Sequence, residues 1–334
     1  MPPAARQPLV SLGVWEKFLA DKHAPSFGIQ SAWGQADLYE NDFIFNPHGP
    51  GWHVDRARFD AMLARSAEEA GAKLYRRARL LACAQTADGN WQIEIGCETR
   101  RYNVRAHFVI DATGRASAFA RRQGARRITD DQLVGIVGFF APKSASFTPN
   151  SQTLVEAVEQ GWWYSAVLPD SRIITAFMTD ADLYARASKR SVEYWQQQLR
   201  KAPHTCSRTK ARTLVPGHLI LAANTSRLDH VAGKNWLAVG DAAMALDPLS
   251  SLGVYNALQS GLIAAQAIDS SLTGDATTLQ KYAAGVEADY DACLKTRAKY
   301  YAEETRWPGS PFWQRRTEGE AEQIREQKQT ACHK

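Results

Sequence analysis

Two short apolar strands, far apart in the chain, constrain this fold more than anything else in the sequence, because each runs out into small residues and glycine. The first is Phe108-Val109-Ile110-Asp111-Ala112-Thr113-Gly114-Arg115. Side chains no larger than Ala or Thr at a strand end let another group approach the backbone closely, and Ser117 to Gln123 then reads as helix. The second is Asn235-Trp236-Leu237-Ala238-Val239-Gly240-Asp241-Ala242-Ala243, continued by Asp247-Pro248-Leu249-Ser250-Ser251-Leu252-Gly253-Val254 and a long apolar helix from Val254 to Ile268. It delivers one carboxylate, Asp241, to the carboxyl end of a buried strand, where ligands of open α/β sheets sit. The free N–H groups and dipole at the following helix start suit partial negative charge. Alone, the first segment fits an ordinary strand-to-helix turn equally well, and Asp241 a helix cap. Together they point to a small-molecule site.

Between them the texture changes. Leu133 to Ala141, Trp162 to Leu168 and Arg172 to Thr179 read as long sheet strands, Val192 to Lys201 as a helix and Thr209 to Val215 as another strand. Upstream, Asp42 to Pro47 reads as a short strand. Asp55 caps a helix carrying Phe59, Met62, Leu63, Ala67 and Ala70, stopped by Gly71. Lys73 to Gln85, Trp91 to Ile95 and Arg101 to Ala112 read as strands, with Asp88-Gly89 turning between the first two. Residues 1–25 carry the pattern of one short amphipathic helix. The polar tail after Pro311 is expected to be loosely attached. The fold class is therefore α/β with an α+β insert. A Rossmann-like domain of residues 1–128 and 227–334 is split around a β-sheet substrate domain of residues 129–226.

Composition removes several alternatives. With 334 residues, 45% hydrophobic, the chain is long enough for about two domains. No run approaches the roughly 18 apolar residues of a membrane span; the nearest, Trp236 to Val254, is broken by Asp241 and Asp247. A net charge of +5, spread along the chain, does not argue for nucleic acid. The start lacks the layout of a secretory signal. Cys83, Cys97, Cys206, Cys293 and Cys332 form no Cys-x-x-Cys pair, so neither zinc nor a disulfide framework is signalled, and a reducing cytoplasm is expected.

The two segments, in this order, resemble the FAD-dependent monooxygenase superfamily with its glutathione-reductase-type flavin fold. Asp111-Ala112-Thr113-Gly114 matches that family's strand ending Asp-Ala-Thr-Gly, and Gly240-Asp241 its Gly-Asp motif, whose carboxylate binds the ribityl chain of FAD. Pro248, Ser250, Ser251 and Gly253 match residues lining the isoalloxazine. Val54-Asp55-Arg56-Ala57-Arg58-Phe59-Asp60 resembles a helix start whose arginine, here Arg56, lies near the FAD phosphates. The resemblance thus implies FAD as cofactor, held by Arg56, Ala112, Thr113, Gly114, Gly240, Asp241, Pro248, Ser250, Ser251 and Gly253, with NAD(P)H or a separate flavin reductase as electron source. The family also opens with a βαβ unit whose Gly-x-Gly-x-x-Gly turn holds the pyrophosphate. No such spacing occurs here, and Pro2-Pro3-Ala4-Ala5-Arg6 resembles the segment that follows that unit. Roughly 30 or more residues of the family's start, its first βαβ unit, are expected to be missing.

Around Ser31-Ala32-Trp33-Gly34, Asn46 to His53 and Gly161-Trp162-Trp163-Tyr164 the sequence is closest to the tryptophan-halogenase-like branch, which includes flavoproteins that mature tryptophylquinone cofactors. Its halogenases carry Trp-x-Trp-x-Ile-Pro and an essential lysine. Here Tyr164 and Ala166 stand where the tryptophans would fall, and no lysine occurs between Lys22 and Lys73. The implied activity is hydroxylation of an aromatic substrate, small or protein-bound, through a flavin hydroperoxide. Halogenation and a geranylgeranyl-reductase-like reduction are the alternatives, and a remnant unable to hold FAD is the non-enzymatic one. Trp162, Trp163 and Tyr164 are candidates for an aromatic pocket, though core is the commoner fate of such residues. His48 and His53 are weaker candidates for acid or base. The Arg121-Arg122 and Arg126-Arg127 pairs could meet a nicotinamide phosphate or an acidic reductase, but read more simply as a solvated face.

Overall fold

Val109–Asp111 and Trp236–Ala238 lie side by side in parallel, Ile110 opposite Leu237 and Asp111 opposite Ala238. This holds in a computed structural model that describes residues 1–98, 100–143, 151–186, 192–275 and 277–317. Both strand ends therefore open at one end of a single sheet, completed by Ala232–Gly233 on the far side of Trp236–Ala238. Val109–Asp111 is its edge strand, with Ile110 half-exposed. Helices Gly253–Leu272 and Thr278–Ala302 pack Ala264, Ala267 and Tyr282 against Trp236, Leu237 and Ala238.

The antiparallel strands Ala78–Gln85, Trp91–Cys97 and Arg100–Ala106 form a separate three-stranded sheet that adds Trp91 to this core. The single strand expected over 101–112 is two strands in two different sheets. Pairing with Trp91 ends at Ala106, and Val109 N–H turns instead to the Asn235 carbonyl at 3.0 Å.

The largest sheet has eight strands. Leu133–Pro142, Ile173–Asp180, Gly161–Val167 and Thr153–Val158 run antiparallel in that spatial order; Arg212–Leu214 and Leu219–Ala222 flank the first. The sheet extends beyond residues 129–226, because Gly28–Ala32 adds in parallel to Thr153–Val158 and Tyr39–Asp42 pairs outside it. The strand expected at Asp42–Pro47 thus lies earlier. After Phe43 N–H meets the Phe27 carbonyl, Asn46 and Gly49 form successive turns. Gly161 sits at φ +150°, where an added Cβ would lie 2.0 Å from the Met178 carbonyl oxygen, so this hairpin admits only glycine.

Period-two alternation puts Trp163 and Trp162 on opposite faces of the sheet. Trp163 packs with Ile136, Phe177 and Trp195, the last from helix Val192–Arg200. Trp162 packs with Leu133, Tyr301, Phe312 and Trp313. The tail expected to be loose is helical over residues 311–317 and fully buries Phe312 and Trp313, whose indole donates to the Val158 carbonyl at 3.0 Å. Beyond residue 317, Cys332 included, the chain lies outside the described residues; Cys83, Cys97, Cys206 and Cys293 are free.

Two other expectations change. The strand expected from Thr209 shrinks to Arg212–Leu214, because buried Glu156 accepts the N–H groups of His204 and Thr205 and caps a helix Pro203–Thr209. The single N-terminal helix is two, Arg6–Ser11 and Trp15–Ala20, broken where Gly13 takes φ +67°. Leu9 and Phe18 join Phe59 and Met62 of helix Arg56–Glu69, which Asp55 caps as expected, its carboxylate accepting Arg58 N–H at 3.1 Å. Among the described residues no helix is long and apolar enough to cross a membrane.

Candidate functional site

The carboxylate of Asp111 is a pin for the first strand end. It is 1% exposed and accepts four hydrogen bonds, from Thr113 N (2.9 Å), Thr113 Oγ1 (2.6 Å), Phe119 N (2.9 Å) and Ala120 N (2.8 Å). A carboxylate so saturated has little capacity left for a ligand. What it does is fold the turn so that Ala112 and Thr113 face solvent and Gly114 takes φ +64°.

The second strand end lies against the first. Gly240 takes φ +53°, and a Cβ there would press to 3.4 Å on Ala257 of the following helix. Asp241 keeps 44% of its side chain exposed, with Arg115 Nε 3.7 Å away. The turn carrying it is fixed by Arg127, whose Nη2 donates to the carbonyls of Asp241 (2.8 Å) and Ala242 (2.9 Å) while Nη1 reaches Ser226 Oγ at 2.9 Å. Burial lowers the Arg127 pKa, reinforced by the neighbouring Arg115 charge and opposed by Asp241. Arg126 pairs with Asp229, and Arg122 donates to the Leu80 carbonyl. Arg127 is thus a scaffold residue of the second strand end, not part of a solvated face.

From Asp247 the chain makes a short turn, Pro248–Ser250, before the 20-residue helix Gly253–Leu272. Asp247 is 3% exposed, and its Oδ1 accepts Leu249 N–H at 2.9 Å. Ser250 Oγ donates to the Asp247 carbonyl at 2.8 Å, so this hydroxyl shapes the loop. Ser251 takes the left-handed φ of +54°, an uncommon conformation that for a non-glycine residue marks local strain. Ser250, Ser251 and Gly253 are exposed, and an added Cβ on Gly253 would find nothing within 4 Å.

These residues fit the ribityl and ring end of FAD. They offer an accessible carboxylate for hydroxyl groups, open backbone beside it, and the N-terminus of a long helix. No Gly-x-Gly-x-x-Gly turn for a pyrophosphate occurs in the sequence. Arg56, expected near the phosphates, makes an exposed ion pair with Asp60 through Nε and Nη2, both at 3.2 Å.

The remaining candidates lie elsewhere. His48 is half-exposed, and its backbone N–H bonds Asn46 Oδ1 at 3.0 Å. His53 is buried with Nε2 2.9 Å from Thr153 Oγ1. Burial, followed by the charges of the Met1 amino group and Arg208, brings its pKa down to about 3, so it is a neutral structural group at ordinary pH. Burial pushes the Tyr164 phenol up to about 12, with Arg208 and a hydrogen bond to Thr153 opposing. Trp162 and Trp163 are fully buried core side chains, which corrects the reading of them as walls of an open pocket. Arg297 and Tyr301 went unread, and Arg115 and Arg127 were noted without these roles, because only long-range folding brings them to the strand ends and loop.

The tryptophan halogenase family model matches residues 20–333. The putative FAD-dependent oxidoreductase LodB of Marinomonas mediterranea is 28% identical over 295 residues, covering 88% of this chain and 78% of that protein. The flavin-dependent halogenase CmlS superposes with a TM-score of 0.85 at 22% identity, over 95% of this chain and 60% of its own. The peptidyl tryptophan dihydroxylase QhpG superposes at 0.75 and 22% identity, over 94% and 68%. The curated halogenases matched are longer, and this chain spans 47–65% of each.

Proposed function

We propose a function from one premise: this chain belongs to the tryptophan halogenase family. Its fold is that of the flavin-dependent halogenases, and its cofactor is FAD. The reading that follows is an FAD-dependent oxidoreductase acting on an electron-rich aromatic ring. The observation that carries it is the meeting of the two strand ends and the helix start at one face, with Asp241 accessible between them.

In this reading FAD supplies the oxidising chemistry, activating O2 once reduced. Asp241 accepts hydrogen bonds from ribityl hydroxyls. The N–H groups of Ser251 and Leu252 are taken by the Pro248 carbonyl and Ser250 Oγ, so it is the start of the helix Gly253–Leu272, through its dipole, that would favour negative charge on the reduced ring. Asp111 and Arg127 bring no group to the cofactor; they hold the two turns in register.

For the group transferred, the relatives favour halogenation, since most of those with a stated activity are named as halogenases. Hydroxylation is the second reading, and one observation favours it. No lysine occurs between Lys22 and Lys73, the stretch in which the resemblance places the lysine its halogenases need. QhpG, named for dihydroxylating peptidyl tryptophan, makes a protein-bound tryptophan a reasonable substrate alongside free aromatics. Incubation with FAD, a flavin reductase, NADH, oxygen and bromide, against free indoles and tryptophan peptides, separates the two by product mass: bromine gained or oxygen gained. A chain that takes up no FAD overturns both.

A further inference from the structure

Asp247 opens the loop assigned above to the flavin ring, and its carboxylate has two side-chain donors. Arg297 Nε reaches Oδ2 at 3.1 Å and Tyr301 Oη reaches the same oxygen at 2.8 Å. Both come from helix Thr278–Ala302, whose far end packs through Tyr282 under the three-stranded sheet that holds Val109–Asp111 and Trp236–Ala238. Tyr301 has one proton to give and gives it to Asp247, while its lone pair accepts the indole N–H of Trp162 at 3.0 Å. Trp162 belongs to Gly161–Val167, in the interior of the eight-stranded sheet, where it lies opposite Met178 and Ala157.

Arg297 makes the second connection. Its Nη2 lies 2.9 Å from Asp131 Oδ2, and Asp131 accepts the N–H groups of Leu133 (2.9 Å) and Thr225 (3.1 Å) at the start of the first long strand. Burial works against the Arg297 charge, but Asp247, Tyr301 and Asp131 raise its pKa above the ordinary value. Burial also raises the Tyr301 pKa, with Asp247 adding to it, so the phenol keeps the proton it donates. Two hydrogen-bonded lines from the sheet therefore converge on one buried carboxylate. Without them the loop keeps short-range bonds, among them Ser250 N to Asp247 O (3.1 Å) and Ser251 N to Pro248 O (3.0 Å).

We propose that Tyr301 and Arg297 are positioning residues that set, through Asp247, where the Pro248–Gly253 loop stands relative to the eight-stranded sheet. Trp162 is the sheet's end of that linkage. The inference rests on the reading that this loop faces FAD. The hydroxyl of Tyr301 is the sensitive point. Its loss leaves the Trp162 N–H a buried donor without an acceptor and leaves Asp247 held by Arg297 and its own loop. Arg297 still balances the charge, so the variant is expected to fold.

The test uses the whole chain with Tyr301→Phe, Trp162→Phe and the double variant. It reads FAD affinity by quenching of flavin fluorescence, visible circular dichroism of the bound flavin, and the thermal midpoint of the FAD-free protein. Tyr301→Phe is expected to weaken FAD binding about tenfold, roughly one hydrogen bond's worth, and to alter the visible dichroism. Trp162→Phe is expected to act in the same direction but less, and the double variant to be no weaker than Tyr301→Phe alone. Unchanged affinity and dichroism in Tyr301→Phe overturn the inference, as does a lowered thermal midpoint with flavin binding intact. Should Tyr301→Phe not fold, Arg297→Lys, which keeps the charge but loses the fork between Asp247 and Asp131, carries the same expectation. A wild-type chain that binds no FAD fails before any variant is made, and overturns the functional reading together with this one.

Discussion

Arg115 Nε stands 3.7 Å from Asp241 Oδ2, so the residue after one strand-end motif faces the carboxylate of the other. Arg115 is itself anchored to Asn224 through the carbonyl oxygen and Oδ1, which ties the junction to the end of the large sheet.

Asp241 is half-exposed and bears no buried load, so its replacement should separate binding from folding. Asp241→Ala is expected to weaken FAD binding by about tenfold or more while changing stability by less than about 0.5 kcal/mol. Fluorescence titration and urea denaturation on the same preparation check both halves; equal FAD affinity in the variant would sink the assignment.

Asp111 should behave in the opposite way. Asp111→Ala strips the acceptor from four donors, two of them backbone N–H groups of Phe119 and Ala120 in the interior. The expected cost is on the order of 3 kcal/mol or more, read as a lower urea midpoint. A variant as stable as wild type would show that the carboxylate does not hold the turn.

Trp162 and Trp163 are neighbours with different obligations. Trp163 stacks on Phe177 at 5.1 Å, and among the described residues its indole nitrogen finds no acceptor. Trp162 donates to Tyr301. Trp163→Ala is expected to cost about 3–5 kcal/mol, but Trp163→Phe much less and without effect on flavin binding. If Trp163→Phe instead changed substrate KM at constant stability, the core assignment would be wrong.

His53 predicts a pH dependence. Burial lowers its pKa from 6.5 to about 3, so the unfolded chain takes up a proton that the native one refuses. Native stability should therefore fall as pH drops from about 6.5 toward about 3, by up to about 1.4 kcal/mol per pH unit from this group. In His53→Gln that contribution disappears. Denaturation midpoints of the two proteins that run parallel between about pH 7 and pH 4 would contradict it.

The flavin half was legible because its signals are local: a strand that ends in Gly240-Asp241 announces its turn within a few residues, and Asp55 caps its helix in the residues that follow. What stayed hidden depends on distant partners. Gly28–Ala32 is short and polar, and it is a strand because Thr153–Val158 offers it a ladder. The helix at Pro203 exists because Glu156, on another strand, caps it. Residues 311–317 read as polar tail, since Phe312 and Trp313 show no period until the cavity beside Tyr301 receives them. Arg127 looked like surface charge; its guanidinium is instead spent on the carbonyls of Asp241 and Ala242.

The pairing of Val109–Asp111 with Trp236–Ala238 also sets an order of events in time. These strands share a ladder three residues long, closed across the whole inserted sheet, whereas Gly161–Val167 pairs with Thr153–Val158 through a tight hairpin. Closing a long loop for so few contacts is entropically unrewarding until its ends are brought together, and non-local pairings form late. The hairpins of the large sheet are therefore expected to form before this ladder, and the two strand ends beside Asp241 to come together late. Substitutions there should speed unfolding and leave the folding rate nearly untouched.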